Sequence, residues 1–221
     1  MSKRLAVLHT SFVFINRETM LNDLLAELLS GTEIVHFVDS EVLAEVMEAG
    51  QVTDASVRRM YHLARAAEEA STDLILSSCS SLGPAVDAIS PLIRVPIIKI
   101  DEAMAETAAR KAEQIGVLAT VATTLAPTSQ LIRDKAADLE KGVQVTPRLA
   151  EGAFQALMSG ERQRHDAMVK EAAADLARGV DILVLAQASM TRLAPELTEE
   201  TGLEVLSSPR LGIEHVRRAL Q

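Results

Sequence analysis

The chain has 221 residues, 48% of them hydrophobic, enough to bury one large core or two small ones. Its 22 basic and 31 acidic residues give a net charge of −9 with no basic cluster, which argues against nucleic acid or an anionic membrane as a partner. Aromatic residues make up only 2%, so a site built on base stacking is not expected either.

Short apolar runs alternate with segments of helical periodicity, the pattern of an α/β protein with mainly parallel sheets. The first strand is expected at Leu5–His9, followed by a helix at Thr19–Leu29, a strand at Glu33–Val38 and helices at Ser40–Ala49 and Asp54–Ala70. Leu74–Ser77 reads as a buried strand that empties into Ser78-Cys79-Ser80-Ser81, and Leu82-Gly83-Pro84 suits a loop opening a helix. A strand at Val95–Ile98 precedes a helix at Glu102–Glu113, whose acidic start at Asp101-Glu102 suits the helix dipole. The remaining strands are expected at Gly116–Ala119, Val143–Thr146, Ile182–Leu185 and Glu204–Leu206, and the remaining helices at Ser129–Glu140, Arg162–Arg178 and Pro209–Leu220. No segment is rich enough in Gly and Ser to be a flexible linker.

No apolar run approaches the roughly 18 residues of a membrane span. The Met-Ser-Lys-Arg start followed by Leu5–Leu8 is too short for a signal peptide. The single cysteine excludes an intrachain disulfide, so a cytoplasmic protein is expected.

That cysteine, Cys79, falls where a parallel strand ends and a helix begins. Ligands of open α/β sheets gather at such places, and the positive end of a helix dipole favours a thiolate there. Free cysteine is also among the most buried residue types, so packing is the competing reading. An internal repeat singles the position out. Ala6–Thr10 aligns with Gly116–Thr120 at an offset of 110 residues, and Asp73–Cys79 aligns with Asp181–Gln187 at an offset of 108. Glu204–Leu220 corresponds to Val95–Ala109 in the same way. Two similar halves are expected, residues 1–100 with 207–221 and residues 101–206, meeting with their strand ends facing and the site between them.

Three stretches also carry a family resemblance. Ser78-Cys79-Ser80-Ser81 is similar to a first cysteine motif, a thiol followed by small hydroxyl or amide residues. Ile115–Thr124 is similar to the strand and Thr-rich loop that start a second half, and Asp181–Met190 sits where a second strand-cysteine motif belongs. On these the chain resembles the aspartate/glutamate/hydantoin racemase superfamily, which includes arylmalonate decarboxylase and maleate isomerase. The resemblance implies two pseudo-symmetric three-layer α/β domains with mainly parallel sheets and the active site in the cleft between them. It further implies an enzyme without a cofactor, a small carboxylate-bearing substrate and a homodimer. It also implies two thiols, one on each face of the substrate α-carbon, one removing a proton and the other delivering one.

The sequence departs from that scheme at one position: the first thiol is Cys79, but the second position holds Gln187. A carboxamide donates and accepts hydrogen bonds yet is no useful Brønsted base near neutral pH. Symmetric two-thiol racemisation is therefore not available. A substitute base on the second face would be His9, at the end of the first strand, or Lys99, beyond the Val95–Ile98 strand. With one thiol the open reactions are one-sided proton transfer, decarboxylation, cis–trans isomerisation through covalent addition, and lysis.

In each case a carboxylate or enolate oxygen must be held. Thr10, Ser80, Ser81, Thr123, Thr124, Gln187 and Ser189 supply donors suited to that job. Ser80, Ser81, Thr123 and Thr124 read equally as helix caps, and Gln187 as a relic of a lost function. No Cys/His cluster with metal spacing, dinucleotide fingerprint or phosphate loop occurs, so neither a metal nor a cofactor is expected. The leading expectation is a racemase-family enzyme using Cys79; the alternative is a binding protein that kept the cleft and lost catalysis.

Overall fold

The computed structural model describes residues 2–12 and 19–221. In chain order the elements are β1 (Arg4–His9), α1 (Met20–Leu28), β2 (Glu33–Val38), α2 (Glu41–Ala49), α3 (Asp54–Glu69), β3 (Leu74–Ser77), α4 (Gly83–Ile89), β4 (Ile97–Lys99) and α5 (Glu102–Lys111). They continue with β5 (Gln114–Ala119), α6 (Ala122–Asp138), β6 (Gln144–Leu149), α7 (Ala153–Met158), α8 (Arg162–Leu176), β7 (Ile182–Leu185), α9 (Ala194–Thr201), β8 (Glu204–Ser207) and α10 (Ser208–Leu220). The chain divides into two compact units, Met1–Ile100 with Pro209–Gln221, and Asp101–Ser208.

The first unit holds a parallel sheet in the order β2-β1-β3-β4. Its central strand explains why Leu5, Ala6, Val7 and Leu8 form an unbroken apolar run, since all four are fully buried. Helices cover both faces of the sheet, so period-2 alternation has no polar side to show. Leu5 and Val7 pack with Leu21, Leu24 and Leu25 of α1 and Ile213, Val216 and Leu220 of α10. Ala6 and Leu8 pack the other way, on Val42 and Val46 of α2, Met60 and Ala64 of α3, and Val86 and Ile89 of α4. A reciprocal capping box starts α3: the Thr53 side chain accepts from Ser56 N–H and the Ser56 hydroxyl from Thr53 N–H.

The second unit repeats the plan, with a parallel sheet in the order β6-β5-β7-β8. Equivalent hydrogen bonds recur. Asp73 Oδ2 accepts the Arg4 N–H at 2.8 Å, and Asp181 Oδ2 accepts the Gln114 N–H at 2.9 Å. Ser78 N–H donates to Leu8 C=O at 3.1 Å, and Ala186 N–H to Leu118 C=O at 2.9 Å. The repeat seen in the sequence is therefore a repeat of topology and register.

Prolines account for most of the differences from the expected elements. The strand expected at Val95–Ile98 is β4, Ile97–Lys99; Pro96 has no N–H to give the ladder, although its C=O accepts from Ile75 at 2.9 Å. The strand expected at Val143–Thr146 runs on through Pro147 to Leu149, tolerated because β6 is the sheet edge. The helix expected at Ser129–Glu140 starts seven residues earlier, at Ala122, and carries Pro127 inside it. Pro127 removes one donor, the one that would reach the Thr123 carbonyl, while flanking turns hold the helix. Two short helices, α7 and α9, have no counterpart in the sequence reading. Six and eight residues leave little periodicity to detect.

Candidate functional site

In each sheet the connections run in opposite directions on either side of the first strand, between β1 and β3 and between β5 and β7. Loops at the carboxyl ends of these strands form the crevice where ligands of open sheets bind. Thr10 follows β1, and Cys79, Ser80 and Ser81 follow β3. In the second unit Thr120, Thr123 and Thr124 follow β5, and Gln187 and Ser189 follow β7. Each sequence-predicted donor thus lies at the switch point of its own sheet.

Cys79 and Gln187 occupy equivalent places. Each sits two residues past its strand and precedes a 3₁₀ turn, Ser80–Leu82 in one unit and Ala188–Leu193 in the other. Both backbones are extended, with φ −124° and ψ 111° at Cys79 and φ −136° and ψ 136° at Gln187. Each carbonyl accepts the N–H three residues on, from Leu82 and Met190, at 3.1 Å. Cys79 is half-buried and packs against the α2–α3–α4 side of its sheet. Ser80 and Ser81 lie inside the 3₁₀ turn, and α4 is capped at Leu82 with a proline in its first turn. Thr123 and Thr124 lie within the first turn of α6, which Val121 caps. The N-cap positions are thus held by Cys79, Leu82 and Val121, and none of the four residues fills one. Ser81 and Thr124 are buried, while Ser80, Thr123 and Ser189 are half-exposed.

The Gln187 side chain is committed at one end. Its Oε1 accepts from Thr120 N–H at 2.5 Å, Thr120 Oγ1 at 3.0 Å and Val121 N–H at 3.1 Å. Two backbone N–H donors settle which amide atom is oxygen, because an NH2 placed there could not accept. Reversing the amide would leave those donors unsatisfied, at about 1–3 kcal/mol each. Gln187 is therefore a structural tie across its switch point as well as a polar group at the site.

His9 and Lys99 are engaged elsewhere. His9 is 1% exposed and belongs by alternation with Leu5 and Val7 to the α1–α10 face, opposite the side on which Cys79 packs. Ser78 Oγ donates to Leu8 C=O at 2.8 Å and lies 3.4 Å from His9 Nδ1; His9 Nε2 lies 2.9 Å from His36 Nδ1. With the serine proton on Leu8, the consistent assignment has His9 Nδ1–H pointing at Ser78 and His36 Nδ1–H pointing at His9. Burial, and then the neighbouring His36, push the His9 imidazole from 6.5 down to about 4, so it is neutral at pH 7. Lys99 Nζ is paired with Asp87 Oδ1 at 2.6 Å.

The His9 environment makes a pH prediction. Its pKa is lower in the folded state than in the unfolded one, so the unfolded chain takes up a proton first as pH falls. Its contribution to stability is complete above about pH 6.5 and declines towards about pH 4, by about 3 kcal/mol in total. Urea unfolding of the wild type and His9→Asn at pH 7, 5.5 and 4 should show a steeper acid loss in the wild type. Parallel pH profiles would contradict this account.

His36 and Thr120 were not singled out from the sequence. His36 carried no signal, being one more histidine on a strand. Thr120 did, since the 110-residue offset pairs it with Thr10.

The family model for Asp/Glu/hydantoin racemases matches residues 18–216. The chain belongs to that family. No curated protein matches the chain. Among solved structures, this racemase-family chain is similar to a glutamate racemase from Francisella tularensis in complex with D-glutamate, with a TM-score of 0.77 at 14% identity over 99% of this chain and 81% of the other. An allantoin racemase from Klebsiella pneumoniae gives a TM-score of 0.69 at 19% identity over 98% of this chain and 87% of the other. A Picrophilus torridus aspartate racemase gives a TM-score of 0.69 at 12% identity, covering 98% and 94% respectively. The two-sheet α/β fold is that of these racemases, and the chain is a racemase-family enzyme of the isomerase class. Among the described residues no helix is long and apolar enough to cross a membrane.

Proposed function

We propose that this enzyme acts without a cofactor on a small carboxylate-bearing substrate, with Cys79 as its acid/base or nucleophile. The observation that carries the reading is the unequal pair at equivalent strand ends, Cys79 after β3 and Gln187 after β7. A thiol exchanges a proton or adds to carbon; a carboxamide does neither near neutral pH. Proton transfer therefore runs through Cys79 alone and yields one stereochemical course. Thr10, Ser80, Ser81, Thr123, Thr124 and Ser189 hold the substrate's oxygens by hydroxyl and backbone donors. His9 is left out of the proton path because it is buried, a weak base with its pKa pushed down to about 4, and bonded to His36, and Lys99 because it is paired with Asp87. A cytoplasmic homodimer is proposed as the working form, supported by the single cysteine and the family resemblance.

Incubation in D2O with glutamate, aspartate, hydantoins and substituted malonates tests this reading. Deuterium is expected at one carbon in one configuration, and its incorporation is expected to disappear in Cys79→Ser. Deuterium uptake with full racemisation would require a second base and overturn one-sided transfer. Exchange that survives in Cys79→Ser would remove the thiol from the mechanism. Ligand binding without exchange or turnover in the wild type would favour a binding protein instead.

A further inference from the structure

We infer that Gln187 is an oriented hydrogen-bond donor, its amide nitrogen set to take a carboxylate oxygen of the substrate. Three donors converge on its Oε1: the N–H groups of Thr120 and Val121 and the Thr120 hydroxyl. That oxygen has no capacity left for a ligand, since a carbonyl offers two lone pairs. The Nε2 end makes no hydrogen bond among the described residues, and the side chain is only half-buried. The residue thus offers a ligand two N–H protons and no acceptor.

The consequence is a change in what this strand end can recognise. The Thr120–Val121 N–H pair lies at the start of α6, where backbone donors and the helix dipole attract anions. In this chain a neutral oxygen from Gln187 already fills that pair. An anionic oxygen is received instead by the amide nitrogen, through a charge-assisted hydrogen bond. Gln187 is therefore a specificity-determining residue that selects for an acceptor and rejects a ligand presenting a donor there. The identity of the ligand as a carboxylate rests on the function proposed above.

Gln187→Glu separates this role from that of a simple tie. A glutamate keeps one oxygen on the Thr120 and Val121 N–H groups and replaces the NH2 by a second carboxylate oxygen. The midpoint of thermal unfolding is expected to be retained. Calorimetric affinity for succinate, glutamate or aspartate is expected to fall at least tenfold. In ¹⁵N-labelled wild type, the Gln187 side-chain NH2 resonance, assigned by its loss in the variant, is expected to move with at least one of these carboxylates.

An NH2 resonance that none of the carboxylates moves would overturn the inference, as would equal affinity in wild type and Gln187→Glu. A merely structural glutamine would give both of those results. The proposed reaction fails on a different readout, loss of exchange or turnover, and can do so while the NH2 resonance still moves.

Discussion

Cys79→Ser is expected to lower the rate of hydrogen exchange or turnover by about 10²–10⁴-fold, the range over which a positioned acid or base contributes. Ligand affinity should change far less. Serine fits the position: the backbone there is extended at φ −124° and ψ 111°, so the exchange introduces no conformational strain. The side chain is half-buried against the α2–α3–α4 core, and losing the larger sulfur costs little packing. Chemistry is what changes. A thiol ionises near pH 8.5, whereas an aliphatic hydroxyl stays protonated at any physiological pH and needs an adjacent base to become a nucleophile. His9 is neutral but committed to His36 and Ser78, and it belongs to the other sheet face, so it cannot take up that task. Steady-state rates of wild type and variant, together with calorimetric affinities for the same ligand, separate the two effects. A variant that keeps more than about a tenth of the wild-type rate would remove Cys79 from the chemistry.

The legibility of this chain in its sequence was uneven for physical reasons. Parallel strands buried on both faces read as short apolar runs, and Leu5–Leu8, Leu74–Ser77 and Ile182–Leu185 are such runs. The repeat was legible because both units place the same groups at the same register, down to Asp73 and Asp181 accepting equivalent backbone N–H groups. What misled was proline. Pro127 reads as a helix stop, yet α6 passes through it, because a helix held by its neighbouring turns survives the loss of one donor. That error hid the place of Thr123 and Thr124 within the first helical turn. The orientation of Gln187 was beyond reach for another reason. Its partner Thr120 is 67 residues away, and only the closed turn shows which amide atom faces the backbone. His9 likewise showed its position but not its sheet-face partner His36, since pairing of β1 with β2 sets that contact.

Gly212→Ala is expected to produce the largest loss of stability among single-methyl additions to this chain. A Cβ at Gly212 would lie 2.3 Å from the Ile100 carbonyl oxygen, 3.1 Å from its carbon and 3.0 Å from Ile100 Cδ1. The obstacle is main chain, so no rotamer change relieves it. The Ile100 peptide is held in turn, since its N–H donates to Ser77 C=O at 3.0 Å and its side chain is buried among Ile98, Ile213 and Val216. The α10 helix would have to move away from β4, opening the core that Ile213, Val216 and Leu220 fill. Overpacking of this kind costs about 1–3 kcal/mol and reaches the upper end where backbone must shift. Against it stands the helix preference for alanine over glycine, about 1 kcal/mol. The clash is the larger quantity, so the net effect is destabilising, with a fall in the unfolding midpoint on the order of 5 °C. Gly116→Ala, whose Cβ would first meet the Leu176 and Leu183 side chains at 2.8–2.9 Å, should cost less because side chains give way more readily than main chain. Gly142→Ala, with nothing within 4 Å, should be neutral or slightly stabilising and serves as the control. Thermal unfolding of the three variants should rank them in that order. A Gly212→Ala protein as stable as Gly142→Ala would mean that α10 does not approach Ile100 as closely as described.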